Sequence, residues 1–290
     1  MSQLHAEPPR LKYGLDVSIQ DEWSHPGTLV ELAVEAERAG WDGLFVWDIL
    51  LGEGGASVPI ADPWVVLGAI AERTERIRLG VAVVALPRRR PWIVARQVAT
   101  LDHLSGGRVT FAAGLGWQAE DFARFGEDPD PRVRAQLLDE GLDVIAGLWR
   151  GEPFSYTGNH HRLTDVTLLP APVQTPRPTT WLAAGWPRRA PLRRAAGWDG
   201  VLLMTEHQQR HDYLTLDDVR QVRDEARATR AAAGLTGPFD IAVNVESLAD
   251  PEAMRAQVRA FGDAGATWAI ELTPETPQEH LALVRRGPPA

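Results

Sequence analysis

The sequence predicts a single (β/α)8 TIM barrel over residues 1–290. Three observations lead there. Short β-rich runs alternate with segments of 3.6-residue apolar period, and the alternation occurs eight times. Eight strand–helix units within 290 residues match the count and size of that barrel. A doubly wound open sheet would leave two strands unplaced, and the turn after the first run lacks a G-x-G-x-x-G.

The first run, Lys12 to Ile19, reads as a strand. A helix follows from about Pro26 to Ala39, with Leu29, Leu32, Ala33 and Ala36 on one face and Gly40 as its stop. Gly43 to Asp48 is the second strand, and Asp62-Pro63 opens a helix to Thr74 as an N-cap followed by a first-turn proline. Ile77 to Val84 is the third strand, followed by a helix from Pro91 to Leu104 with Val94, Val98 and Leu101 in register. Val109 to Ala113 is the fourth, and a long loop leads to a helix from about Arg132 to Trp149. A hairpin insertion from Phe154 to Leu163, turning at Gly158-Asn159, and a proline-rich connection precede the fifth strand, Thr180 to Ala184. A helix over Arg189 to Ala196, the sixth strand Gly200 to Met204 and a helix over Leu216 to Ala233 come next. The seventh strand Asp240 to Glu246, the helix Pro251 to Ala264, the eighth strand Trp268 to Leu272 and a final helix Pro277 to Arg285 complete the series.

Composition removes several function classes. The chain has no cysteine, which excludes disulfides, thiolate metal sites and a cysteine nucleophile. A net charge of −9 gives no electrostatic footprint for nucleic acid. No apolar run reaches the ~20 residues of a membrane span, and the first eleven residues lack a signal-peptide core. The expectation is a soluble, cytoplasmic protein with neither a membrane nor a nucleic-acid partner.

Barrel enzymes carry their chemistry on the loops after the strand C-termini. Two of these loops are long, at 49–61 after the second strand and 114–131 after the fourth. Asp48 ends the second strand as either a cap for its loop or a ligand contact. In Gly114-Leu115-Gly116-Trp117, two glycines let backbone approach a flat ligand, and Trp117 either stacks on it or fills core. Arg188 and Arg189 follow Gly185-Trp186-Pro187 at a helix start, where the macrodipole disfavours cations. They point to a bound anion, most simply a phosphate received by helix N–H groups, or else to solvent. Arg88-Arg89-Arg90 repeats the theme on the same rim. His160-His161 reads as a solvated turn. His207 and His211 have the i, i+4 spacing of a zinc pair, but no glutamate between them and no third ligand, so no metal is expected.

At these residues the chain resembles the luciferase-like monooxygenases, the barrel family of bacterial luciferase and the deazaflavin-dependent reductases. The resemblance is carried by A-E-R-A-G-W-D-G-L-F-V-W-D (36–48), R-I-R-L-G-V-A-V-V-A-L-P-R-R-R-P-W (76–92) and L-D-H-L-S-G-G-R-V (101–109). G-L-G-W-Q-A-E-D-F (114–122), L-D-E-G-L-D-V-I-A-G-L-W-R-G (138–151), R-R-A-A-G-W-D-G-V (193–201) and A-G-A-T-W-A-I-E (264–271) extend it over nearly the whole chain.

The resemblance implies reduced FMN, or alternatively the deazaflavin coenzyme F420, across the C-terminal mouth. It assigns cofactor contacts to Asp48, Ala82, Val83, Gly116 and Trp117, to Gly185, Trp186, Pro187, Arg188 and Arg189, and to Met204. A non-proline cis peptide is expected at Ala82-Val83. Relatives carry a histidine directly after the second-strand acid, where this chain has Ile49. Asp48, Glu120 and His207 are the substitutes that remain for acid–base work. The leading expectation is an FMN monooxygenase acting with dioxygen on a small organic substrate, served by a flavin reductase and assembled as a homodimer. Deazaflavin-dependent hydride transfer is the alternative enzyme, and a non-catalytic flavin-binding barrel is the alternative outside catalysis.

Overall fold

The computed structural model describes residues 10–205, 214–245, 248, 250–272 and 276–289. Ten strands lie among them: β1 (Lys12–Val17), β2 (Gly43–Val46), β3 (Arg78–Ala85), β4 (Val109–Gly114), β5 (Phe154–Thr157), β6 (Arg162–Val166), β7 (Thr179–Trp186), β8 (Gly200–Thr205), β9 (Asp240–Val245) and β10 (Trp268–Leu272). Eight close into a barrel in the order β1-β10-β9-β8-β7-β4-β3-β2, and every neighbouring pair is parallel. The antiparallel pair β5–β6 is the hairpin insertion expected before the fifth barrel strand.

The helices are α1 (Pro26–Ala39), α2 (Pro63–Ala71), α3 (Pro91–Leu104), α4 (Glu120–Ala123), α5 (Pro131–Leu148), α6 (Arg189–Ala196), α7 (Leu216–Ala232), α8 (Pro251–Ala264) and α9 (Pro277–Arg286). Their starts follow the sequence signals. The Asp62 carboxylate accepts from the N–H groups of Trp64 and Val65, and Thr215 and Asp218 form a reciprocal capping box on α7. No described helix is long and apolar enough to cross a membrane.

Barrel strands are buried on both faces, which is why β2 (G-L-F-V) and β4 (V-T-F-A-A-G) read as continuous runs rather than alternations. One face packs under the helices; the other fills the barrel. Phe45, Trp181 and Trp268 meet inside at ring-centroid distances of 5.4 to 5.9 Å, joined by Ala112, Leu202, Ala242 and Ile270. This aromatic plug closes the lower barrel and leaves the C-terminal mouth to other residues.

Several elements end elsewhere than the sequence reading placed them, β1 at Val17 and β2 at Val46 among them, and three differences have a visible cause. Helix α2 stops at Ala71, short of Thr74, because the Arg108 guanidinium takes the carbonyls of Ala71, Thr74 and Ile77 at 2.8–2.9 Å. Strand β7 runs two residues further, to Trp186, because β8 pairs with it as far as Thr205. The loop after β4 contains the short helix α4, anchored by buried Asp121 and Phe122.

Candidate active site

Register identifies the side chains that share the interior face near the mouth. Asp16 of β1 pairs with Phe45 of β2 and Leu272 of β10, and Asn244 of β9 pairs with Ile270. Met204 of β8 pairs with Gly185 of β7. The Ala82–Val83 peptide of β3 is cis, where the resemblance placed it. Walls of β3, β4 and β7 carry small residues here: Ala82, Val83, Gly114, Ala183 and Gly185. A Cβ on Gly114 would stand 2.9 Å from Val83 Cγ2 and 3.1 Å from Ala183 Cβ. Gly116 has φ +83°, and a Cβ there would meet the Phe122 ring at 2.9 Å. Side chains at either glycine would fill the floor, so this wall fits a flat ring laid against backbone. Across the barrel lie polar groups. The buried Asn244 Oδ1 accepts no hydrogen bond, which marks a place for a ligand donor.

Asp48 sits at the rim in a knot of cations. Arg89 donates to it through Nε and Nη2 at 2.7 and 2.6 Å, Arg88 through Nη2 at 2.7 Å, and the Ala85 N–H at 3.0 Å. Its side chain is wholly buried. Burial pushes the carboxyl up, but the Arg89 hydrogen bond and the two guanidinium charges outweigh it and hold the pKa below the usual aspartate value. Both carboxylate oxygens are therefore engaged. This corrects the expectation of an open basic patch: Arg88 and Arg89 spend their charge inside the protein, on Asp48 and, for Arg88, also on Asp121.

Asp121 fastens the two long loops together. Its carboxylate accepts from the N–H groups of Leu50 and Leu51 and from Gln118 Nε2. Gln118 also donates to the carbonyls of Leu51 and Gly52, and Arg124 to that of Gly55.

The remaining sequence candidates divide. Trp117 is 49% exposed on the rim, so it is not core filler. Glu120 opens α4 half-buried, and its carboxylate has no hydrogen bond or ion pair among the described residues. Trp186 is buried, and its Nε1 donates to Asp218 at 2.8 Å, anchoring the end of β7 to α7. Pro187 and Arg188 are exposed beside it. Arg189 lies 4.7 Å over the Trp186 ring and pairs with Glu225, so its charge is partly spoken for. His207 and His211 lie outside the described residues. His160 and His161 belong to the β5–β6 turn, where Glu140 accepts both backbone N–H groups. Among the described residues no three His, Asp or Glu side chains could hold a metal ion.

Sequence reading passed over Asp16. It is 7% exposed on the interior face, and its one hydrogen bond comes from Trp47 Nε1 at 2.7 Å. Burial, only partly offset by that bond, pushes its pKa up to about 7. The available signal was an acid at an inward position of an otherwise apolar strand, K-Y-G-L-D-V.

A close-packed floor, an inward-facing acid and amide, and two fastened loops gather at the strand C-termini, where barrel enzymes carry their chemistry. The profile of the luciferase-like monooxygenases matches residues 9–287, and the chain belongs to that family. The F420-dependent glucose-6-phosphate dehydrogenase of Beutenbergia cavernae is 32% identical over 254 residues, covering 86% of this chain and 71% of that one. Against the other curated relatives of that name, the chain spans about half their length. The fold is shared with the monooxygenase RslO1 from Streptomyces bottropensis, at TM-score 0.79 and 22% identity over 95% of this chain and 97% of that one. It is also shared with an F420-dependent secondary alcohol dehydrogenase, at TM-score 0.79 and 17% identity over 97% and 98% of the two chains.

Proposed function

We propose that the protein is an oxidoreductase that uses the deazaflavin coenzyme F420 to move a hydride to or from a carbinol carbon of a small organic substrate. The observation that carries this reading is the 32% identity, over 86% of the chain, to a relative named for F420-dependent dehydrogenation. When bound, the deazaflavin supplies a hydride-accepting or hydride-donating ring and forms no oxygen adduct. Ala82, Val83, Gly114 and Gly116 give that ring a flat wall, and Trp117 covers it from the rim. Gly185 to Arg189 takes its phosphate end, with Met204 beside Gly185. Asp48 works by position: through the Ala85 N–H it holds the end of β3, and with it the Ala82–Val83 wall.

A second reading, reduced FMN with dioxygen and a flavin reductase as partner, draws on the family's monooxygenase description. Anaerobic titration with F420 and with reduced FMN, followed by absorbance and calorimetry, separates the two. The first reading requires tighter binding of F420 and loss of the oxidised deazaflavin band when an alcohol is added without dioxygen. Preference for reduced FMN, with dioxygen consumed, would replace it with the second. Either enzyme is proposed to act in the cytoplasm as a homodimer. Val65 on α2 and Ile93 and Leu104 on α3, 70, 51 and 42% exposed, support the dimer, and sedimentation tests it.

A further inference from the structure

We infer that Asp16 is the catalytic group that exchanges the substrate's hydroxyl proton in the mouth of the barrel. The inference rests on the oxidoreductase reading and names the residue that completes its chemistry.

Position comes first. In the barrel order β1 stands four strands from β7, three from β4 and two from β3, so Asp16 lies across the barrel from the β7 part of the small-residue wall. Asn244, two strands from β1 and four from β3, adds its unpartnered Oδ1 to the same polar side. A substrate held between the two walls would have its carbon toward the small residues and its hydroxyl toward Asp16 and Asn244.

Availability comes second. The other buried carboxylates are committed. Asp48 holds two arginines, and Asp121 ties loop backbone. Asp102 and Glu140 each accept three hydrogen bonds, and Glu271 pairs with Arg286. Asp16 alone among these has one donor and no cation. Trp47 Nε1, which can only donate, occupies Oδ1, and Oδ2 has no hydrogen-bond partner among the described residues. Around it stand Phe45 and Trp47 from the β2 side and Leu272 from β10; Glu271 alternates to the other face of β10. Among the described residues, burial and the Trp47 hydrogen bond set its titration, with no charged side chain beside them. A carboxyl that titrates near neutrality can both take and return a proton.

Need comes third. Ile49, next to Asp48 at the end of β2, is 7% exposed and has no group that binds a proton, and Asp48 itself is held by two arginines. In the oxidation, the substrate O–H bond breaks and its proton passes to Asp16 Oδ2. The C–H hydrogen leaves with its electron pair as hydride, for which a bound deazaflavin would be the acceptor, and the C–O bond becomes a carbonyl. Reduction runs the same transfers backward.

The test uses the full chain with F420 and, as probes, isopropanol and glucose 6-phosphate. Infrared difference spectra of the ligand-free protein between about pH 5 and 9 should show a protonated carboxyl band that titrates near 7 and is absent from Asp16→Asn. The variant should bind F420 as wild type does, while single-turnover hydride transfer slows on the order of 10²–10⁴-fold and its pH limb disappears. Trp47→Phe, which keeps Asp16 but removes its donor, should move the limb and the band to higher pH. An Asp16→Asn protein that binds F420 and oxidises the alcohol at the wild-type rate overturns the assignment alone, as does a band that persists in it. Wild type that binds no F420 overturns the F420-dependent reading and the assignment together.

Discussion

Arg89 meets Asp48 fork to fork, Nε to Oδ2 at 2.7 Å and Nη2 to Oδ1 at 2.6 Å, with the carboxylate wholly buried. Arg88, 3% exposed, shares the same carboxylate. Replacing Asp48 with asparagine keeps the shape but strands two cations, and breaking a buried pair costs about 3–5 kcal/mol. Asp48→Asn should therefore lower the chemical denaturation midpoint strongly. Because the folded pKa lies below the unfolded one, the Asp48 contribution is complete above about pH 4 and fades as pH falls through the folded value. A variant within about 1 kcal/mol of wild type at neutral pH would show the knot to be dispensable.

Asp16 has the opposite sign. Its folded pKa, about 7, lies above the unfolded value, so the stability it allows is full below about pH 4 and is lost as pH rises through 7. Asp16→Asn removes that penalty. Its stability relative to wild type should grow between pH 4 and 7 by up to roughly 4 kcal/mol, the span of about three pKa units. Parallel urea midpoints for the two proteins over that range would contradict the raised pKa.

Trp117 is half-exposed and makes no core, so Trp117→Ala should melt within about 0.5 kcal/mol of wild type. Loss of the indole over the bound ring should weaken F420 binding by about 1–3 kcal/mol. Calorimetric titration beside a thermal melt reads both; an early melt with normal binding would return Trp117 to a structural role.

The barrel was legible because helix and strand periods alternate along the chain, and the cap at Asp62 acts within three residues. What escaped depends on partners far away in sequence. Arg108 ends α2 from 34 to 37 residues downstream of the carbonyls it takes from Ala71 and Thr74. Three consecutive arginines at 88–90 read as one basic patch, yet two of them turn inward to a carboxylate 40 and 41 residues earlier. Asp16 escaped for another reason: its importance lies in having only one hydrogen bond, and a sequence does not display missing partners.

Arg188 and Arg189 stand at the start of α6, on the rim where the cofactor's phosphate is proposed. Replacing both with alanine should weaken F420 binding about tenfold and flatten its dependence on salt, because screening acts on charge contacts. Unchanged affinity and salt slope in the double variant would move the phosphate elsewhere.

Asp121→Ala leaves the N–H groups of Leu50 and Leu51 without their side-chain acceptor and takes one of three acceptors from the Gln118 amide. The expected loss is about 1–3 kcal/mol, with faster proteolysis within residues 49–61. Cleavage at the wild-type rate would show that the remaining contacts hold the loops alone.

Because Asp121, Gln118 and Arg124 reach from the second long loop to main-chain groups of the first, each loop is held by the other as well as by its own turns. A graft of 49–61 alone would present amides and carbonyls to side chains that no longer fit them. The two segments form one exchangeable cassette, and any transfer of substrate preference between barrels of this family by loop exchange has to move both halves at once.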